Sequence, residues 1–187
     1  MEGVLIVAAA VILVPLIFVI VTYNGLVRTR NHVDESWSGV ETELQRRYDL
    51  IPNLVNTVKG YAEHERELLE RVTQMREQAA ANHGSPESQA RTENAFQGAL
   101  GTLMARIEAY PELKANKNFL DLQDELTNTE DRIQAARRFY NGNVRENNNK
   151  VQMFPSNIIA GMFGFAGREF FEIDEPKARQ APQVSLG

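Results

Sequence analysis

The nineteen residues from Gly3 to Val21 carry no polar side chain, and the only charged side chain before Arg28 is Glu2. An α-helix rises about 1.5 Å per residue, so about 20 residues cross the roughly 30 Å hydrocarbon core of a bilayer. The run lacks the alternation of a barrel strand and the polar face of a surface helix. It predicts a membrane anchor over residues 1–23, built on Val4, Leu5, Ile6, Val7, Val11, Ile12, Leu13, Leu16, Ile17, Phe18, Val19, Ile20 and Val21. A membrane helix tolerates a proline such as Pro15 where the freed carbonyl finds another partner. A cleaved signal peptide fits less well. It needs a basic start and a small-x-small cleavage site, whereas this run begins with Glu2 and ends in Val21-Thr22-Tyr23.

The flanks set an expected orientation. Arg28 and Arg30 follow the run and nothing basic precedes it, so the positive-inside rule places the N-terminus outside and the remainder in the cytoplasm. Tyr23 sits where an interfacial aromatic belongs. The net charge of −5 and the lack of a long Lys/Arg run argue against a nucleic-acid partner. They also argue against a strong electrostatic grip on anionic lipid, which leaves attachment to the first segment. With no cysteine, a disulfide scaffold and a cysteine-ligated metal are excluded.

After the anchor the apolar spacing is helical. Val33, Trp37, Val40, Leu44, Ile51, Leu54, Val55, Val58, Tyr61, Leu68, Leu69, Val72 and Met75 recur in steps of three, four and seven, the stripe of an amphipathic helix from Asn31 to Ala81. Pro52 blocks the bond to the carbonyl of Tyr48 and predicts a kink or break near Asp49–Pro52, a kink rather than a reversal because no glycine or loop lies there. Asn82-His83-Gly84-Ser85-Pro86 predicts a stop and restart, with Gly84 as a C-terminal cap, Ser85 as an N-cap and Pro86 in the first turn. A second stripe runs to Pro111. A third helix, about 31 residues long, is ended by Asn147-Asn148-Asn149 because asparagine terminates helices well. The expected fold is all-α: one N-terminal transmembrane helix, then an antiparallel up-down helical bundle over 24–167 with a long kinked first helix, two further long helices and a short C-terminal one. Ser156 is expected to cap that last helix. The apolar stretch Ile158–Phe165 is too short to span a bilayer and is expected to close the bundle rather than touch the membrane surface. Residues 168–187 read as a polar, partly disordered tail.

No constellation carries chemistry. His64-Glu65 fails the His-Glu-x-x-His pattern because position 68 is Leu, and none of His32, His64 and His83 has a Glu three residues earlier, as a carboxylate-bridged bundle site requires. Glu63, Glu65, Glu67 and Glu70 alternate with Arg66 and Arg71 as a solvated helix face does. No catalytic, cofactor-binding or metal-ligating residue is assigned. One segment exceeds what a plain helix needs: Arg46, Arg47, Asp49, Pro52 and Asn53 put charge and a helix breaker midway along the longest stripe. They form a candidate interaction surface, beside the simpler reading of a kink with local charge pairing.

Specific residues add a resemblance. Tyr23-Asn24, Leu26-Val27, Arg30-Asn31, Val33-Asp34-Glu35, Trp37, Arg46-Arg47, Asp49 through Val55, Thr57 through Tyr61 and His64-Glu65 look like the start of the LemA family. Ala109 through Ala115, Phe119-Leu120, Leu122-Gln123, Glu125-Leu126, Arg137 through Asn141, Asn147 and Phe154 through Asn157 extend the match in order to about Phe171. The resemblance implies a bacterial inner-membrane protein with one span and a helical-bundle domain, no established catalysis, and association with HtpX-type membrane metalloproteases and membrane stress. The expected function is a membrane-anchored, self-assembling scaffold or adaptor, not an enzyme. Small residues Gly3, Ala8, Ala9 and Ala10 would permit close packing of spans. A sensory module responding to membrane state is the alternative.

Overall fold

The computed structural model describes residues 1–173. Residues 174–187 and the side chains of Val4, Leu5, Ile6, Ala8 and Glu63 lie outside that description, and with them three of the expected anchor side chains and most of the expected tail. The fold is all-α. Its elements are α1 (Glu2–Lys59), a single 3-10 turn (Glu63–Glu65), α2 (Arg66–Ala80), α3 (Pro86–Ile107), α4 (Pro111–Lys114), α5 (Lys117–Gln152) and α6 (Ser156–Met162), with no strand among the described residues. Two compact units share α1 and α5. One comprises Met1–Glu41 and Ala135–Glu169, and the other Thr42–Gln134 with residues 170–173.

Within the second unit α1 buries Leu44, Tyr48, Ile51, Leu54 and Val58. Each fully buried aliphatic side chain contributes about 1.5–3 kcal/mol. The helix does not break at Pro52. It continues to Lys59, and the chain turns at 60–62, so the stripe expected to run to Ala81 is two helices. The reason is a side chain. Proline cannot donate to the carbonyl four residues back, and Arg76 Nε donates to that carbonyl, Tyr48 O, at 3.1 Å. α2 and α3 form an antiparallel hairpin. Gln89, at the start of α3, donates to Ala79 O at the end of α2, while Arg106 and Tyr110, at and beyond the end of α3, reach Glu65 before the start of α2. Ser85 caps α3 by accepting from Ser88 N, and Pro86 occupies the first turn, as expected. Gly84 does not cap α2, which ends at Ala80. Its role is space: a Cβ there would lie 3.0 Å from Asn82 Oδ1 and 3.1 Å from Ser88 Oγ. Asn82 Oδ1 accepts from Gly84 N and its amide donates to Ser88 and Thr92, tying the turn together.

Within the first unit α1 and α5 are antiparallel. The Trp37 ring lies tilted against Tyr140 at 5.1 Å, and Asn143 donates to His32 O five residues back along α1. Leu26, Val33 and Val40 are buried along α1. Thr29 and Ser36, buried on the same helix, return their hydroxyls to carbonyls in the preceding turn. The asparagine run does not end α5, which continues to Gln152. Asn148 instead clasps the returning chain: its amide donates to Arg168 O at 2.9 Å and its Oδ1 accepts from Arg168 N at 2.7 Å. Asn147 is buried and donates to Ala166 O. Tyr140 OH donates to Glu169 O, and the Arg168 guanidinium pairs with Asp34. Ordered chain therefore continues past Gly167, and Phe171 and Ile173 in the second unit are buried.

α6 follows a cis Phe154–Pro155 bond. Ser156 is its first residue and not its cap; its hydroxyl donates back to Met153 O. The helix ends in a Schellman motif: Gly164 takes φ +71° and Phe165 N donates to Ala160 O. Ile159 and Ala160 are buried against Leu26, with Val19, Val151 and Phe165 packed around them.

Candidate functional site

The stripe on α1 contains a charge. Positions 40, 44, 47, 51, 54 and 58 share one face, and Arg47 holds the third place, 1% exposed. α3 answers from its own stripe with Gln89 and Glu93, both buried. Arg47 Nη2 and Tyr48 OH both donate to the Glu93 carboxylate. Arg47 Nη1 donates to Glu130 on α5 at 2.7 Å. Gln89 Nε2 lies within hydrogen-bond distance of Glu93 Oε1 and Tyr48 OH, and Gln97 donates to Glu130 from α3. The Arg47 guanidinium also stands 5.3 Å over the Phe96 ring. Burial, reinforced by the Glu93 charge, drives the Tyr48 phenol well above its ordinary range, so it stays a donor. A buried ion pair adds little net stability over apolar residues of the same shape, but removing one partner is costly. The cluster thus fixes the register of α1, α3 and α5. It offers no free nucleophile and no unpartnered carboxylate.

Beside it lies a groove of about 600 Å³ between α3 and α5. Ile107, Phe119 and Leu126 are buried at its base, with Leu100, Met104 and Leu120 above them. Exposed Glu108, Lys114, Gln123, Thr127 and Asp131 surround this apolar lining, and Arg47 and Glu130 join the groove to the charge cluster. A second, more polar cavity of about 810 Å³ borders α2 and includes His64, Arg66, Glu70 and Glu77. Elsewhere in this unit Glu65 accepts from Arg106 and Tyr110, and those bonds hold its carboxyl below the usual range.

The structure divides the candidate surface. Arg46, Asp49, Pro52 and Asn53 are exposed, Arg46 near Glu43 and Asp49 accepting from Gln45. Arg47 points the other way, into the core, because it lies on the apolar stripe; it is a register-setting residue and not part of a surface. Arg28 and Arg30 are exposed, and the Arg30 guanidinium lies 5.4 Å from the Phe165 ring. The three histidines are exposed, and no group of three or more His, Cys, Asp or Glu is placed to hold a metal among the described residues. Of the anchor residues whose side chains are described, Val19 is half-buried and the others are exposed. Glu93, Gln89 and Glu130 escaped the sequence reading. Positions 89, 93, 96, 100, 103 and 107 repeat the four-three spacing of α1; polar residues at two stripe positions were the available signal.

The sequence model of the LemA family matches residues 36–186. Protein LemA of Metamycoplasma hominis is 27% identical over 152 residues, covering 81% of this chain and 69% of that protein. Magnetosome protein MamQ 2 of Paramagnetospirillum magneticum is 26% identical over 188 residues, and magnetosome protein MamQ of Magnetospirillum gryphiswaldense 24%, each covering 87% of this chain and 68% of the relative. Among the described residues one helix, α1, is long and apolar enough to cross a membrane. With that span and a matching domain covering most of its length, the chain is a membrane-associated protein that belongs to the LemA family.

Proposed function

We propose that this protein is a membrane-anchored scaffold that assembles with itself and with other membrane proteins through its helical domain. The observation that carries the reading is the α3–α5 groove: an apolar base, a charged surround and a volume of about 600 Å³ suit an apolar helix face from a partner. The buried cluster beside it supports a binding role over a catalytic one, because its acids and bases are committed to each other. The exposed group Arg46, Asp49, Pro52 and Asn53 is a second contact surface on the same unit. The partner class proposed is a membrane protease of the HtpX metalloprotease type or a related quality-control system. The proposed setting is the bacterial inner membrane, N-terminus outside and bundle in the cytoplasm, by the placement of Arg28 and Arg30.

Photo-crosslinking in native membranes tests it. A crosslinker at Met104 or Leu120 is expected to capture a second copy or a membrane protein, and Leu120→Asp to abolish capture through Met104 while leaving far-UV circular dichroism unchanged. Capture from neither groove position nor from Asn53, in a membrane where the protein is inserted, would overturn the reading. Protease accessibility of the bundle in right-side-out vesicles would overturn the orientation.

A further inference from the structure

From Val151 to Gly167 the chain carries no charged side chain, and Lys150 and Arg168 bracket this stretch. Seventeen such residues, divided between the last two positions of α5, a turn and the seven-residue α6, cannot cross a bilayer. Burial uses only part of them. Ile159 and Ala160 face α1, but Met153, Phe154, Ile158, Met162 and Phe163 are exposed, Phe154 by 79% and Met162 by 70%. Apolar side chains gathered in this way on a soluble surface mark an interaction site.

Their position along α1 names the occupant. The buried face of α6 packs against Val19 and Leu26, about 10 Å apart along the helix axis. The last residue of the apolar run, Val21, lies between them. The Tyr23 ring meets Phe163 at 4.9 Å and Phe165 at 5.6 Å, both edge to face. α6 is therefore fixed at the depth where the span leaves the hydrocarbon. An interfacial helix buries its apolar face about 5–10 Å into the headgroup and acyl boundary, and this is the layer in which the exposed side chains stand. Arg30, over the Phe165 ring, lies on the water side of the same cluster, where a guanidinium meets lipid phosphate.

We propose that α6 and its flanks form a second membrane contact, with Met153, Phe154, Ile158, Met162 and Phe163 inserted into the interfacial layer of the leaflet from which α1 emerges. The sequence had pointed to bundle closure. The structure gives both faces a use: Ile159 and Ala160 close on α1, and the opposite face enters lipid. α6 becomes a collar at the membrane surface, held from the water side by the Asn148 clasp on Arg168.

The chain has no cysteine, so single-cysteine variants of the full protein report one site each. Ile158→Cys, Met162→Cys, Leu16→Cys and Glu146→Cys, labelled with an environment-sensitive fluorophore, are reconstituted in vesicles of phosphatidylethanolamine and phosphatidylglycerol. Nitroxides placed near the headgroup or mid-chain of the lipid quench by depth, and an aqueous quencher reports water. The expected result is blue-shifted emission at 158 and 162 with severalfold stronger quenching by the shallow nitroxide than by the aqueous quencher. Leu16→Cys answers to the mid-chain nitroxide and Glu146→Cys to the aqueous quencher. Water-accessible labels at 158 and 162 beside a deeply quenched label at 16 would overturn the collar while leaving the span intact. Labels protected from every quencher would also overturn it, by assigning the face to a protein. The outcome does not depend on the groove or its partner.

Discussion

Replacing Arg76 tests the reason why α1 runs through Pro52. The proline leaves Tyr48 O without its helical donor, and Arg76 Nε supplies one at 3.1 Å in a partly buried setting. A hydrogen bond from a charged donor contributes about 1.5–3 kcal/mol, so Arg76→Leu is expected to cost about 2 kcal/mol. Pro52→Ala restores a backbone N–H to the same carbonyl. Proline in a helix interior is about 3 kcal/mol worse than alanine, from the lost bond and the ring clash together. Because Arg76 already answers the lost bond, Pro52→Ala alone is expected to gain only about half of that. In the Pro52→Ala background Arg76→Leu then costs about 0.5 kcal/mol, which gives a coupling of about 1.5 kcal/mol between residues that make no side-chain bond to each other. Urea unfolding of the four full-length proteins in mild detergent, followed by circular dichroism at 222 nm, measures the cycle. Equal costs of Arg76→Leu in both backgrounds would refute the argument.

In the buried cluster, Glu93→Leu strands Arg47 and is expected to cost about 3–5 kcal/mol, whereas Arg47→Met with Glu93→Leu recovers most of it; urea midpoints decide between this and simple additivity. Glu65 gives an acid limb to stability. Its folded carboxyl is held low chiefly by the bond from Arg106, so the stability it contributes is present above the ordinary glutamate range and is lost as pH falls through the depressed value. Glu65→Gln should flatten the fall in melting temperature below about pH 5, and an unchanged pH profile would count against it. Asn148→Leu removes both bonds to the Arg168 backbone, with an expected loss of about 1–3 kcal/mol in local order. Trypsin should then cut after Arg168 several times faster, with little change in global unfolding.

The span, the stripes and the Ser85-Pro86 restart were legible because each rests on local pattern or local capping. What escaped depends on partners distant in sequence. Pro52 reads as a kink or a break, and only Arg76, 24 residues on and donating to the Tyr48 carbonyl that the proline leaves without a partner, explains why the helix stays continuous. Asn147 and Asn148 read as a helix stop because propensity ranks them so, yet tertiary bonds to residues 166–168 override propensity. Arg47 reads as surface by its charge and as core by its periodicity, and the periodicity decides. Its place between Leu44 and Ile51, and that of Glu93 between Gln89 and Phe96, was open to a strict count of threes and fours. The groove was beyond reach of the sequence, since it depends on which faces of α3 and α5 meet.

The helix α1 passes from Gly3 through Leu26 to the end of its first unit without a linker, and that makes it a keyed shaft. Each residue turns a helix by about 100° and lifts it about 1.5 Å. One residue inserted between Tyr23 and Leu26 would swing the α6 seat about a quarter-turn away from Val19 and Tyr23. Seven would restore the facing to within about 20° while lifting Leu26 roughly 10 Å out of the interface. The length of the stretch between span and seat is therefore fixed in phase and in height at once. Insertions there should be rejected in a way that the same insertions in the turn at 81–85 are not.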